Sequence, residues 1–128
     1  MVVALVTFVG LSMPDGKLHV VFCDVGQGDA SLVVLGDFQM LVDGGPSGDG
    51  VLACLAKHVP FWDRKIEMIV NSHPEKDHLA GLLEVGKRYE VGRYIDPQNV
   101  ENGDVLRYRN IEMDILWPKE KVSEKVLG

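Results

Sequence analysis

The chain is short of the residues that staple small proteins or grip nucleic acids. Among 128 residues only Cys23 and Cys54 are cysteine. They form no C-x-x-C pair, so neither a multi-bridge framework nor a thiolate zinc site is indicated. Both read as small buried apolar residues, with a single structural disulfide left open for a domain outside the cytoplasm. Positive charge is also scarce: 13 Lys and Arg stand against 19 Asp and Glu, a formal net charge of -6. That balance lacks the broad basic surface that holds a nucleic-acid backbone by counterion release. A phosphate substrate would need local help, which divalent cations held by acidic residues can supply.

Long apolar runs are missing as well. The opening stretch MVVALVTFVGL is apolar but well below the roughly 20 residues a spanning helix needs. It has no basic start and no small-residue cleavage site, so a removable signal peptide fits poorly. Two readings stand: the end of a transmembrane helix, which is preferred, or an added strand, which its Val and Thr content suits equally. A phosphate-binding Gly-rich loop and a serine nucleophile elbow are absent too. The stretch Asp24-Val25-Gly26-Gln27-Gly28-Asp29 has neither a Lys-Ser/Thr pair nor a serine between its glycines. No internal repeat or low-complexity tract is found.

What is present is a hydrophobic content of 46%, enough for one domain with a modest core. Pro14-Asp15-Gly16 is a turn signal that divides an apolar leader, residues 1–16, from the domain proper, residues 17–128. β-Branched and aromatic residues predict strands over 18–24, 30–35 and 38–42, arranged as a β-meander. Residues 43–50 are too rich in breakers to form an element. Val51, Leu52, Leu55, Ala56 and Val59 then recur at helical spacing until Pro60 stops the pattern. A strand over 66–70 enters Asn71-Ser72-His73-Pro74-Glu75-Lys76-Asp77-His78. The helix starting there has Leu79, Leu82, Leu83 and Val85 as its apolar face. A strand over 91–95 and two strands within 105–117, joined near Arg109-Asn110, complete the order βββαβαβββ. Trp62 and Trp117 are expected to pack in the core or at an edge. His58 is expected to interact with the C-terminal dipole of its helix, and His19 to hold an ordinary strand position. Residues 119–128 read as a polar tail.

The chemistry concentrates after the fourth strand. His73, Glu75, Asp77 and His78 all carry nitrogen or oxygen donors suited to a borderline divalent metal. Residues two apart in an extended stretch share a side, so His73 and Glu75 can reach one metal. Asp77 and His78 lie where the chain turns into the helix, offset toward a second metal. Such a pair can activate water and stabilise an attacked phosphoryl or carbonyl group, with Asp77 as the candidate catalytic carboxylate. The plainer alternative is that Asp77 caps the helix, His73 is a loop histidine and Glu75 and Lys76 are solvated. Asp24, Asp29 and Asp43 close strands beside glycines; they serve either as turn residues or as hydrogen-bonding supports of the metal loop.

Three stretches together resemble one family. Phe22-Cys23-Asp24-Val25-Gly26-Gln27-Gly28-Asp29-Ala30, Leu41-Val42-Asp43-Gly44-Gly45, and Ser72-His73-Pro74-Glu75-Lys76-Asp77-His78-Leu79-Ala80-Gly81-Leu82 are similar to the metallo-β-lactamase-like domain of ComEC-type competence proteins. The resemblance spans roughly residues 18–118. It implies an α/β fold, the metallo-β-lactamase-like αββα sandwich. Here that would be a partial domain, the N-terminal half, with one mixed or antiparallel sheet and two helices. It also implies a divalent metal pair, zinc or manganese, with His73 and position 75 at one metal and Asp77 and His78 at the other. Many relatives carry His at position 75, and ComEC-like ones often Asp, so Glu75 departs from the pattern. Asp43 matches the acidic residue that ends a strand beside the metal loop.

The resemblance further implies a membrane-associated phosphodiesterase acting on single-stranded DNA during uptake. Its place is the bacterial cell membrane, with the hydrolase domain outside the cytoplasm, or, alternatively, inside. The membrane link runs through the apolar leader or a region upstream of it. The remaining ligands are expected from a C-terminal half outside this chain, so full turnover is not expected of the chain alone. Two other functions compete: a soluble hydrolase of another ester on the same fold, and a non-catalytic structural module.

Overall fold

The computed structural model describes residues 1–73 and 75–117; the polar tail expected over 119–128 lies outside the described residues. Ten elements follow in order: helix α1 (Val2–Ser12), strands β1 (Leu18–Phe22), β2 (Ser31–Leu35) and β3 (Phe38–Val42), helix α2 (Gly48–His58), strand β4 (Lys65–Val70), helix α3 (Lys76–Arg88), and strands β5 (Glu90–Ile95), β6 (Val105–Tyr108) and β7 (Ile111–Asp114). From β1 onward this is the order expected from the sequence. The molecule is an α/β structure with three helices, a five-stranded mixed sheet and a separate hairpin.

The sheet order is β1-β2-β3-β4-β5. β1, β2 and β3 form the antiparallel meander, in register Val20↔Val33 and Val33↔Met40. β4 and β5 continue in parallel, with Leu41↔Ile69 and Ile69↔Tyr94. Parallel neighbours need a crossover, and α2 and α3 provide the two.

Alternation along β2 and β3 sends their side chains to two cores, and β4 supplies residues to both. On one face Leu32, Leu41, Ile66 and Ile69 meet Val51, Leu55 and Val59 of α2 and its end, and Leu82 and Val85 of α3. On the other, Phe38, Met68 and Ile95 pack with Val100 and with Leu106 of the β6–β7 hairpin. That second face is covered only in part: Leu18, Val20 and Phe22 of β1 remain exposed, Phe22 at 82%.

Several expectations change. The two-helix count becomes three because the apolar leader is helical, as α1, and not a strand. Among the described residues no helix is long and apolar enough to cross a membrane; at 11 residues and 1.5 Å per residue, α1 is about 16 Å long. Cys23 and Cys54 are not separate buried thiols but a disulfide, with Cα atoms 5.6 Å apart. It joins the end of β1 to the middle of α2. Trp62 and Trp117 are exposed, at 42% and 72%, because both lie outside the strands and helices. Leu83 and Ala56 also fall outside the buried helix faces. For His58, burial and then the Lys57 and His19 charges lower the pKa, which opposes the charged form that a helix dipole would favour. His19 meets the exposed Asp15 at 2.8 Å.

Candidate functional site

The ends of β3 and β4 point the same way because the two strands are parallel, so the residues after each arrive side by side. Asp43 follows β3. Its N–H donates to the carbonyl of Val70, at the end of β4, at 2.8 Å. Its backbone has a φ of 60°, unusual for a residue with a side chain but best tolerated by Asp and Asn. The residue is 4% exposed and its carboxylate turns toward the segment after β4. Oδ1 accepts the Ser72 N–H at 2.8 Å and Oδ2 accepts the Ser72 hydroxyl at 2.6 Å.

Two imidazoles gather around this pair. His73 Nδ1 lies 2.9 Å from Ser72 Oγ, and His78 Nδ1 lies 3.1 Å from Asp43 Oδ2. The second approach is close but off hydrogen-bond geometry. The ring centroids of His73 and His78 are 5.3 Å apart. His78 Nε2 faces Asp77 Oδ2 at 3.7 Å. Burial opposes protonation of His78, yet Asp43, and then the charges of Asp77 and Asp29, outweigh it and raise the pKa.

Close backbone approach holds α3 against this corner. The Gly44 N–H donates to the His78 carbonyl at 2.9 Å, and the Gly81 N–H to the Gly45 carbonyl at 3.0 Å. A Cβ on Gly81 would overlap the Gly44 carbonyl. The loop over residues 24–29 closes a further side, since the Gly45 N–H donates to the Asp29 carbonyl at 3.0 Å.

The candidate residues therefore divide. Asp43, His73, Asp77 and His78 come together, and the charge of Asp29 reaches His78 although its carboxylate is exposed. The Asp24 carboxylate is taken up locally, accepting the Gly26 N–H at 3.3 Å, as an Asp before Gly commonly does. Glu75 occupies the N-cap position of α3 without a side-chain cap bond and is exposed; the cap expected of Asp77 is thus displaced by two positions, and Asp77 sits in the first helical turn.

The donors suit a borderline divalent metal in type, with imidazole nitrogen and carboxylate oxygen at one corner. The fit is partial: among the described residues no three His, Cys, Asp or Glu side chains gather tightly enough to hold a metal ion.

Three contributors were not singled out from sequence. Ser72 bridges Asp43 and His73; a hydroxyl directly before the first histidine at a strand end was its signal. Asn71 is 2% exposed and donates Nδ2 to the Tyr94 hydroxyl at 2.9 Å, and its N–H donates to the Ile95 carbonyl. Burial, more than any charge, raises the Tyr94 pKa. No sequence signal marks either residue.

No protein-family model matches the chain. It does show a distant, partial similarity to Recombination protein 2 of Haemophilus influenzae, 30% identical over 103 residues that make up 78% of this chain and 13% of that protein's length.

Proposed function

We propose that this chain is part of a metal-dependent hydrolase domain, a phosphodiesterase acting on DNA during competence-linked uptake, and that the domain is completed by residues outside the chain. The observation that carries the reading is the convergence of His73 and His78 on the Asp43–Ser72 pair, 5.3 Å apart between ring centroids. Ordinary turn histidines have no reason to gather, one directly and one through a serine, at a buried carboxylate that follows another strand.

His73, Asp77 and His78 are the residues that would contribute to holding a divalent metal pair, zinc or manganese, with Glu75 joining if its side chain turns inward and the remaining ligands coming from outside the chain. When bound, such a pair supplies Lewis acidity and a water acidified toward neutral pH. The chain's own groups do the positioning. Asp43 holds Ser72 and faces His78, so both imidazoles have Nδ1 against the Asp43–Ser72 pair. Asp77 lies half-exposed beside His78 Nε2, at a helix N-terminus, where an ionised carboxylate is favoured, and it is the proposed catalytic carboxylate. Because the chain is acidic, with a net charge of -6, a phosphodiester approaches favourably only once cations offset these carboxylates.

Support for the competence setting comes from the residue strings shared with ComEC-type domains and from the similarity to Recombination protein 2. The Cys23–Cys54 disulfide supports a location outside the cytoplasm, where such bonds persist. Membrane association would run through α1 or a region preceding it.

Calorimetric titration with zinc or manganese tests the reading, with His73→Ala and Asp77→Ala as controls. Binding that either change weakens at least tenfold is expected. No binding, or binding indifferent to both changes, would favour the non-catalytic module, for which the exposed Glu75 speaks.

A further inference from the structure

We propose that Ser72 is a positioning residue that sets the tautomer of His73, placing the ring proton on Nδ1 and leaving the Nε2 lone pair bare. Ser72 Oγ has two polar neighbours, Asp43 Oδ2 at 2.6 Å and His73 Nδ1 at 2.9 Å. A hydroxyl carries one proton, and a carboxylate only accepts. The hydroxyl proton therefore goes to Asp43. What Ser72 then offers His73 is an oxygen lone pair, which Nδ1 can meet only by carrying the hydrogen. In the neutral ring the other nitrogen is then the free acceptor.

The order of these bonds matters. Free neutral imidazole side chains in water favour the proton on Nε2, so the arrangement opposes the ring's own preference. The hydroxyl cannot swing away freely, because Asp43 Oδ1 also holds the Ser72 N–H at 2.8 Å and fixes the backbone beneath it. Asp43 thus acts on the two histidines by different routes: on His78 through direct proximity, and on His73 through the serine. That the bare Nε2 serves as a metal ligand rests on the proposed function; the tautomer itself does not.

The test reads the ring directly. Long-range proton–nitrogen NMR spectra of the metal-free, histidine-labelled chain are recorded at about pH 9, where imidazoles of ordinary pKa are neutral, and His73 signals are assigned by their loss in His73→Gln. The wild type should show the Nδ1-protonated pattern. Ser72→Ala should move His73 toward the Nε2-protonated form, and Ser72→Thr, which keeps the hydroxyl, should restore the wild-type pattern. Backbone spectra of both variants identify any loss of fold. A His73 proton on Nε2 in the wild type, or a pattern unchanged in a folded Ser72→Ala, would overturn the proposal. A parallel zinc titration separates the two ideas. Affinity falling about tenfold in Ser72→Ala and returning in Ser72→Thr supports both, whereas the expected tautomer without any zinc binding sinks the metal reading alone.

Discussion

Asp43 grips Ser72 at two points across 29 positions of sequence, accepting its amide with one oxygen and its hydroxyl with the other. Asp43→Ala removes both acceptors and places a residue poorly suited to a φ of 60°. A loss of about 1–3 kcal/mol is expected from the unpaired groups. Asp43→Asn tolerates that backbone and keeps one oxygen, so it should recover part of the loss. Urea unfolding of the two variants checks this, and equal stabilities would show that the grip contributes little.

Gly81 sits where α3 crosses the loop after β3, with the Gly44 carbonyl in the space of its missing Cβ. Gly81→Ala must push the helix from the loop, at a cost of about 1–3 kcal/mol. The displacement should also disturb the His78 ring, because the Gly44 N–H is bonded to the His78 carbonyl. Thermal unfolding and the His78 ring signals are the readouts; a variant with both unchanged would contradict the close approach.

The Cys23–Cys54 bridge closes a separation of 31 residues. Loop-closure entropy puts its stabilisation at about 3–4 kcal/mol. Unfolding with and without a thiol reductant, and in Cys23→Ala combined with Cys54→Ala, should show a loss of that order. An oxidised and a reduced chain of equal stability would mean that the bond constrains little.

Glu67 is buried in β4 and accepts the Gln39 N–H at 2.8 Å. Its burial, chiefly, raises its pKa above the ordinary 4.5. The folded state therefore binds this proton more tightly than the unfolded state. The resulting stability is fully present below about pH 4.5 and is lost as pH rises through the raised value. Glu67→Gln removes the ionisation while keeping an acceptor for Gln39, so it should be the more stable protein at neutral pH. Denaturation profiles from acid to neutral pH decide the point: the two curves should separate as pH rises, and parallel curves would refute it.

Much of the scaffold was legible because periodicity reports burial. Val51, Leu55 and Val59 repeat at helical spacing and all three are buried. Leu83 obeys the same pattern and is exposed, since periodicity marks a face without saying how far its partner extends. α1 was ambiguous for the opposite reason: apolar residues all round leave no period to read, and Val and Thr favour strands. The disulfide was hidden by distance, as two cysteines from different elements carry no local sign of pairing. At the site, the donor-rich motif was visible in the chain and Asp43 was one of three aspartates that could support it, but that Asp43 is the one that holds Ser72 and faces His78 was not. That role depends on β3 and β4 being parallel neighbours, a tertiary fact. Ser72 was overlooked because one serine before a loop is commonplace until a carboxylate from another strand meets it.

β1 is an outer strand of the sheet, and Leu18, Val20 and Phe22 lie bare along it. Unpaired backbone beside oily side chains is a template for edge-to-edge growth. At rising concentration the chain should therefore clump, and Val20→Lys should act as a gatekeeper that keeps preparations clear.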